Sequence, residues 1–209
     1  MPRSGGSSVR VGVLGGTFDP IHLGHLKIAE EVRLKLDLER VLFIPTGQPR
    51  LRVDEFLSPV ADRLRMVELA TSDDPYFQVC DNETRRSGPT YTVDTLIELR
   101  DSLGTDAALY FIVGVDILSR FQDWKEPERV LELCNLVVVT RPGYEDFEWP
   151  AWLSRFPQAA DRLTRLDTTM VDISGTEVRR RSGQGKSVRE LVPDSVAEYI
   201  QERNLYARQ

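Results

Sequence analysis

The chain has 209 residues, 41% of them hydrophobic and 29% charged, with a formal net charge of −6. That balance describes a globular protein with ample core and lacks the basic footprint of a general nucleic-acid binder; no run nears the roughly 18 apolar residues of a membrane span. The two cysteines, Cys80 and Cys134, stand far apart in apolar surroundings and read as reduced thiols, so a cytoplasmic location is the default.

Residues 1–8 are polar and Gly/Ser-rich and read as a mobile tail ahead of one domain over residues 9–209. The run from Val9 to Leu14 predicts a buried strand, and Leu26, Ala29, Val32 and Leu36 recur at helical spacing over residues 23–36. Val41-Leu42-Phe43-Ile44 is a second strand ended by Pro45. The loop over residues 46–59, rich in Pro, Gly and Arg, reads as a mobile active-site segment. Residues 60–71 look helical with Ala61, Leu64 and Val67 on one side, and residues 76–80 suggest a third strand. A helix is expected over residues 92–103 with Gly104 as its stop, then strands over 109–113 and 136–139. Residues 144–165 read as a local insertion with a short helix from Ala151, followed by a short strand at 169–171. A helix over 177–181 and a terminal one over 194–203, with Val196, Tyr199 and Ile200 on one face, complete the chain. Strands alternating with helices imply an α/β fold with a central parallel sheet flanked by helices. Such sheets bind ligands beyond the carboxyl ends of their strands, where Gly15-Gly16, residues 45–52, residues 114–116 and Arg141 converge.

Both histidines of the chain lie in Gly15-Gly16-Thr17-Phe18-Asp19-Pro20-Ile21-His22-Leu23-Gly24-His25. Glycines where a strand turns toward a helix N-terminus make a phosphate receptor, and His22 and His25 can face one phosphate. Taken singly, the glycines could be a plain tight turn and the histidines structural. A second segment, Ile173-Ser174-Gly175-Thr176-Glu177-Val178-Arg179, starts about 150 residues further on. Ser174 or Thr176 can cap its helix, and Arg179, one turn along, can reach the same anion, although a simple cap with a solvated basic run is the better reading of the segment alone.

Together the two segments resemble the H-x-G-H and I-S-x-T-x-x-R signatures of adenylyltransferases of the nucleotidylyltransferase superfamily. The resemblance implies a Rossmann-like nucleotidylyltransferase fold. Pro89-Thr90-Tyr91-Thr92-Val93-Asp94-Thr95-Leu96 is similar to the P-S-Y-T-x-x-T-L segment of bacterial nicotinate-nucleotide adenylyltransferases. Gly114-Val115-Asp116, Asp123-Trp124 and Arg141-Pro142-Gly143 follow in that family's order.

The resemblance implies transfer of the adenylyl group of ATP to nicotinate mononucleotide, releasing pyrophosphate. It puts Thr17, His22, His25 and Arg179 on the reacting phosphates, and Gly15, Gly16, Phe18, Gly114, Asp116, Ile173, Ser174 and Thr176 around ATP. Asp19, Arg52, Thr90, Tyr91, Thr92, Trp124 and Arg141 fall to the acceptor, with a helix-entry role open for Asp19 and core packing open for Trp124. Mg²⁺ is expected on the ATP phosphates, with few protein ligands. No nucleic-acid or membrane partner is expected, and a homo-oligomer stays open.

Three departures stand out. Pro49-Arg50-Leu51-Arg52 replaces a loop that often carries His, Lys125 stands where an aromatic often follows the tryptophan, and Gly175 replaces Ser or Ala. The rival enzymes, phosphopantetheine adenylyltransferase and cytidylyltransferases, lack the P-x-Y-T and Asp-Trp segments. A tRNA synthetase is disfavoured by length, and a non-catalytic nucleotide sensor would bind ATP without turnover.

Overall fold

Strands with apolar residues at almost every position must be covered on both faces, and the side-chain period of two assigns alternate residues to opposite layers. The computed structural model describes residues 8–48, 57–104, 106–140, 144, 146–168 and 173–207. Its six strands are β1 (Arg10–Gly16), β2 (Arg40–Pro45), β3 (Phe77–Val79), β4 (Ala108–Gly114), β5 (Asn135–Val139) and β6 (Leu163–Leu166). All pair in parallel, in the order β3-β2-β1-β4-β5-β6. The connecting helices are α1 (Leu23–Lys35), α2 (Val60–Thr71), α3 (Asn82–Arg85), α4 (Thr92–Leu103), α5 (Val115–Leu118), α6 (Pro127–Leu133), α7 (Trp149–Arg155), α8 (Gly175–Gly183) and α9 (Asp194–Glu202).

Alternation separates two cores. Val11, Val13, Leu42, Ile44, Leu109, Phe111, Leu136 and Val138 face α4, α6 and α7, where Leu96, Val130 and Trp152 meet them. Leu14, Val41, Phe43, Ile112, Val137 and Val139 face α1, α2, α8 and α9, where Val32, Met66, Val178 and Ile200 meet them. Register pairs Gly16 with Pro45 and Gly114 with Val139, so four strands finish at one edge. The strand order reverses between β1 and β4, which opens a crevice there.

Several expectations need correction. Residues 144–165 are no insertion: α7 and a short 3-10 turn carry the chain across to β6, which extends the sheet beside β5. Trp152 and Phe156 are buried against Phe121 and belong to the core. In α2 the buried face is Asp62, Arg63, Met66 and Val67, whereas Ala61 is exposed, because hydrogen bonds cover the two charges. Helices α3, α5 and α6 were not foreseen; each is too short to display an apolar period. The strand expected at 169–171, the tail over residues 1–7 and residues 49–56 of the active-site loop lie outside the described residues.

Candidate active site

The glycines after the first apolar run are not the turn itself. Gly15 and Gly16 are the last residues of β1, and the turn begins at Phe18, a buried residue in the left-handed region at φ 48°. That conformation costs a bulky residue energy and persists only where surroundings fix it. Phe18 is held edge-on to His25 at 5.1 Å and against Phe43 at 6.0 Å. A Cβ on Gly16 would stand 3.1 Å from the Phe18 ring, which accounts for glycine there. Gly15 meets only ordinary contacts with Phe111 at 3.8 Å.

His22 caps α1 in an extended conformation, and the ring of His25, three residues on, stacks on it at 3.7 Å. The His22 backbone N–H donates to His25 Nδ1 at 3.2 Å. Leu23 N–H donates to the Leu191 carbonyl and His25 N–H to the His22 carbonyl, both at 2.9 Å, so these two amides of the first turn are engaged within the protein, while His22 and His25 line the cleft.

The second motif docks on the first. Ser174 Oγ caps α8 by accepting from Glu177 N–H at 3.2 Å. Arg179 donates to the Asp19 carbonyl at 2.7 Å and to Thr176 Oγ1 at 3.3 Å, joining segments 160 residues apart. A Cβ on Gly175 would lie 3.1 Å from the same Asp19 carbonyl, so the small residue permits this approach. The Asp19 side chain is spoken for. It is buried, Oδ1 accepts from Tyr206 Oη at 2.6 Å and Oδ2 accepts from Ser58 N–H at 3.0 Å. These bonds tie the Asp19 side chain into the turn that leads into α1.

Beneath the turn, Arg63 is fully buried and donates to four carbonyls, those of Thr17, Thr46, Gly47 and Ser58, at 2.7–3.2 Å. Burial pulls its guanidinium below the ordinary value, against the opposing pull of Asp19. Burial, reinforced by the adjacent Asp19 carboxylate, pushes the Tyr206 phenol up and keeps it a donor.

The other end of the cleft is built by α3, α4 and the turn after α5. Thr90 is buried and its N–H donates to Gln48 at 3.3 Å; Tyr91 caps α4, which Thr92 begins. Glu83 is buried, with Oε1 accepting from Thr95 Oγ1 at 2.7 Å, and burial pushes its carboxyl up. Trp124 is half-buried, edge-on to Phe111 at 5.9 Å and tilted on Phe121 at 5.0 Å; it both packs on the core and lines the cleft.

One cleft of about 500 Å³ runs between these ends. It brings together Gly15, Gly16, Thr17, Phe18, Asp19, His22 and His25 with Ile173, Ser174, Thr176 and Arg179. Gly114, Asp116, Thr90, Tyr91, Thr92 and Trp124 line it too. Arg52 and Arg141 lie outside the described residues. Sequence reasoning missed Arg63, Tyr206 and Glu83. Arg63 sits in a helix whose charges pattern like a solvated face, Tyr206 is 187 residues from its partner, and only proximity to Thr95 distinguishes Glu83.

A parallel sheet whose switch-point crevice gathers the His22–His25 and Ser174–Arg179 segments has the arrangement of a Rossmann-like α/β protein. The family described as Cytidylyltransferase-like matches residues 13–181, and the chain belongs to it. A protein of Dehalococcoides mccartyi named "Probable nicotinate-nucleotide adenylyltransferase" is 47% identical over 97% of this chain and 99% of its own length. One of the same name from Roseiflexus sp. is 45% identical over 96% and 99%. Among solved structures, the Plasmodium falciparum nicotinic acid mononucleotide adenylyltransferase complexed with NaAD superposes with TM-score 0.76 at 19% identity, covering 94% of this chain and 97% of the other. Within the wider class, the chain belongs to the nicotinate-nucleotide adenylyltransferase family.

Proposed function

We propose that the protein transfers the adenylyl group of ATP to nicotinate mononucleotide, yielding nicotinate adenine dinucleotide and pyrophosphate. The observation that carries this reading is the continuity of the cleft from the His22, His25 and Arg179 cluster to Thr92 and Trp124. The NaAD complex of the Plasmodium falciparum protein, a neighbour in fold, supports it.

An oxygen of the acceptor phosphate attacks the α-phosphorus of ATP in line, the bond to the bridging oxygen breaks, and pyrophosphate leaves. The nucleophile is already anionic, so the protein's task is to position two polyanions and spread developing charge. Thr17, His22 and His25 donate to the α- and β-phosphates, and Arg179 with Ser174 and Thr176 holds the departing pyrophosphate. Gly15 and Gly16 admit the phosphates close to backbone, while Phe18, Gly114, Asp116 and Ile173 enclose the adenosine. Trp124 stacks on the pyridine ring, and Thr90, Tyr91 and Thr92 receive its carboxylate. Arg52 and Arg141 supply cations to the acceptor phosphate. Mg²⁺ enters as part of the ATP substrate; the Asp19 carboxylate, held by Tyr206 and Ser58, positions the turn instead. The free thiols of Cys80 and Cys134 fit a reducing cytoplasm.

Incubation with Mg²⁺, ATP and nicotinate mononucleotide, followed by mass analysis, tests the reading. The expected product is the dinucleotide with equimolar pyrophosphate; ATP binding without product makes the protein a nucleotide sensor.

A further inference from the structure

Lys125 follows Trp124 and lines the acceptor end of the cleft. Its Nζ donates to both carboxylate oxygens of Asp94, at 2.9 and 3.1 Å, and stands 4.9 Å from the centre of the Tyr91 ring. Tyr91 caps α4 and Asp94 is its third residue, so the ammonium hangs over the first helical turn beside Thr92. The first N–H groups of a helix find no acceptor within it, and this turn is where the proposed reaction seats the pyridine carboxylate.

The backbone around Lys125 is fixed on both sides. Trp124 is anchored on Phe111 and Phe121; Glu126 is left-handed at φ 50°, and Pro127 starts α6 directly after it. The four-carbon stem is flexible, and its head is held by a part-exposed ion pair. The two charged side chains keep 39% and 35% of their surface in water, where an ion pair contributes little and one carboxylate readily replaces another.

We propose that Lys125 determines acceptor specificity: its ammonium leaves Asp94 and pairs with the pyridine carboxylate, selecting nicotinate over nicotinamide mononucleotide. The inference rests on the proposed function. An ammonium has donors only, so it gains a charged acceptor from the acid and a neutral carbonyl from the amide. It also separates the substrate carboxylate from Asp94, two like charges otherwise brought together on one helical turn.

The test measures dissociation constants by calorimetry, and kcat/KM, for both mononucleotides with wild type, Lys125→Met, Lys125→Arg and Asp94→Asn. A part-exposed charge pair corresponds to an effect of about two- to fivefold, so Lys125→Met should lower the acid-to-amide ratio by about that factor. Lys125→Arg should keep the preference. Asp94→Asn frees the ammonium and removes a like charge, so its ratio should hold or rise. An unchanged ratio in Lys125→Met, or an equal fall in Asp94→Asn, means the pair only straps loop to helix and overturns the proposal. Wild type that neither binds nor converts nicotinate mononucleotide overturns the functional reading instead.

Discussion

His25 Nδ1 accepts the His22 backbone N–H, which leaves Nε2 as the ring nitrogen that meets phosphate in the proposed reaction. His22→Ala or His25→Ala should each lower kcat for pyrophosphate release by roughly 10²-fold or more, the usual cost of losing one preorganised donor. The rings stack at 3.7 Å, so the double variant should lose less than the product of the single losses. Wild-type-like turnover in either single variant removes that ring from the mechanism. Glu83 gives a second residue-level prediction, this time in stability. Burial pushes its carboxyl above the ordinary 4.5, against hydrogen bonds from Thr95 and Thr90. The unfolded chain therefore ionises first. The favourable contribution of the protonated carboxyl is full below that ordinary value and is lost as pH rises through the raised folded value. Glu83→Gln cannot ionise, so its stability relative to wild type should improve between pH 4 and pH 8. Urea unfolding at the two pH values checks this; a pH-independent difference contradicts it.

At the scale of elements, Asp19 is the junction where four segments meet. Its carbonyl holds Arg179 of α8, its carboxylate holds Tyr206 beyond α9 and Ser58 before α2, and its own turn leads into α1. Tyr206→Phe keeps the ring and deletes one hydroxyl, leaving a buried carboxylate oxygen short of a donor. A loss of about 1–3 kcal/mol in unfolding free energy is expected. Turnover should fall with it, because the turn that carries His22 loses a fixed point; unchanged stability and unchanged kcat would show that the contact is idle. None of this junction was legible in the sequence, because it is made of bonds between residues 39 to 187 apart. Elements with a period were legible: α2 and α4 begin and end where their patterns do, and of the two cap candidates, Ser174 and Thr176, it is Ser174 that caps α8. Strand β6 was not, since Leu163–Leu166 is a four-residue edge strand carrying Thr and Arg, with too few buried positions to show an alternation.

For the whole molecule, the parallel order β3-β2-β1-β4-β5-β6 puts His22 and His25, Ser174 to Arg179, and Thr90, Thr92 and Trp124 around one crevice. The strand ends alone pointed to Gly15-Gly16 after β1 and Gly114 to Asp116 after β4, because a parallel sheet places every strand's carboxyl end on the same edge; Thr90 to Thr92, Trp124 and Ser174 to Arg179 were reached through their motifs. What could not be read was the support: Arg63 donates to four carbonyls under the cleft from a helix that patterned as amphipathic. Joining of ATP, in this crevice, to a pyridine mononucleotide carrying a carboxylate is checked by the rate of pyrophosphate release from ATP and Mg²⁺ with nicotinate mononucleotide, nicotinamide mononucleotide or phosphopantetheine as acceptor. Release much faster with nicotinate mononucleotide than with the other two is the expected result. Release with phosphopantetheine alone would contradict the assignment of Thr90 to Thr92 and Trp124 to a pyridine acceptor.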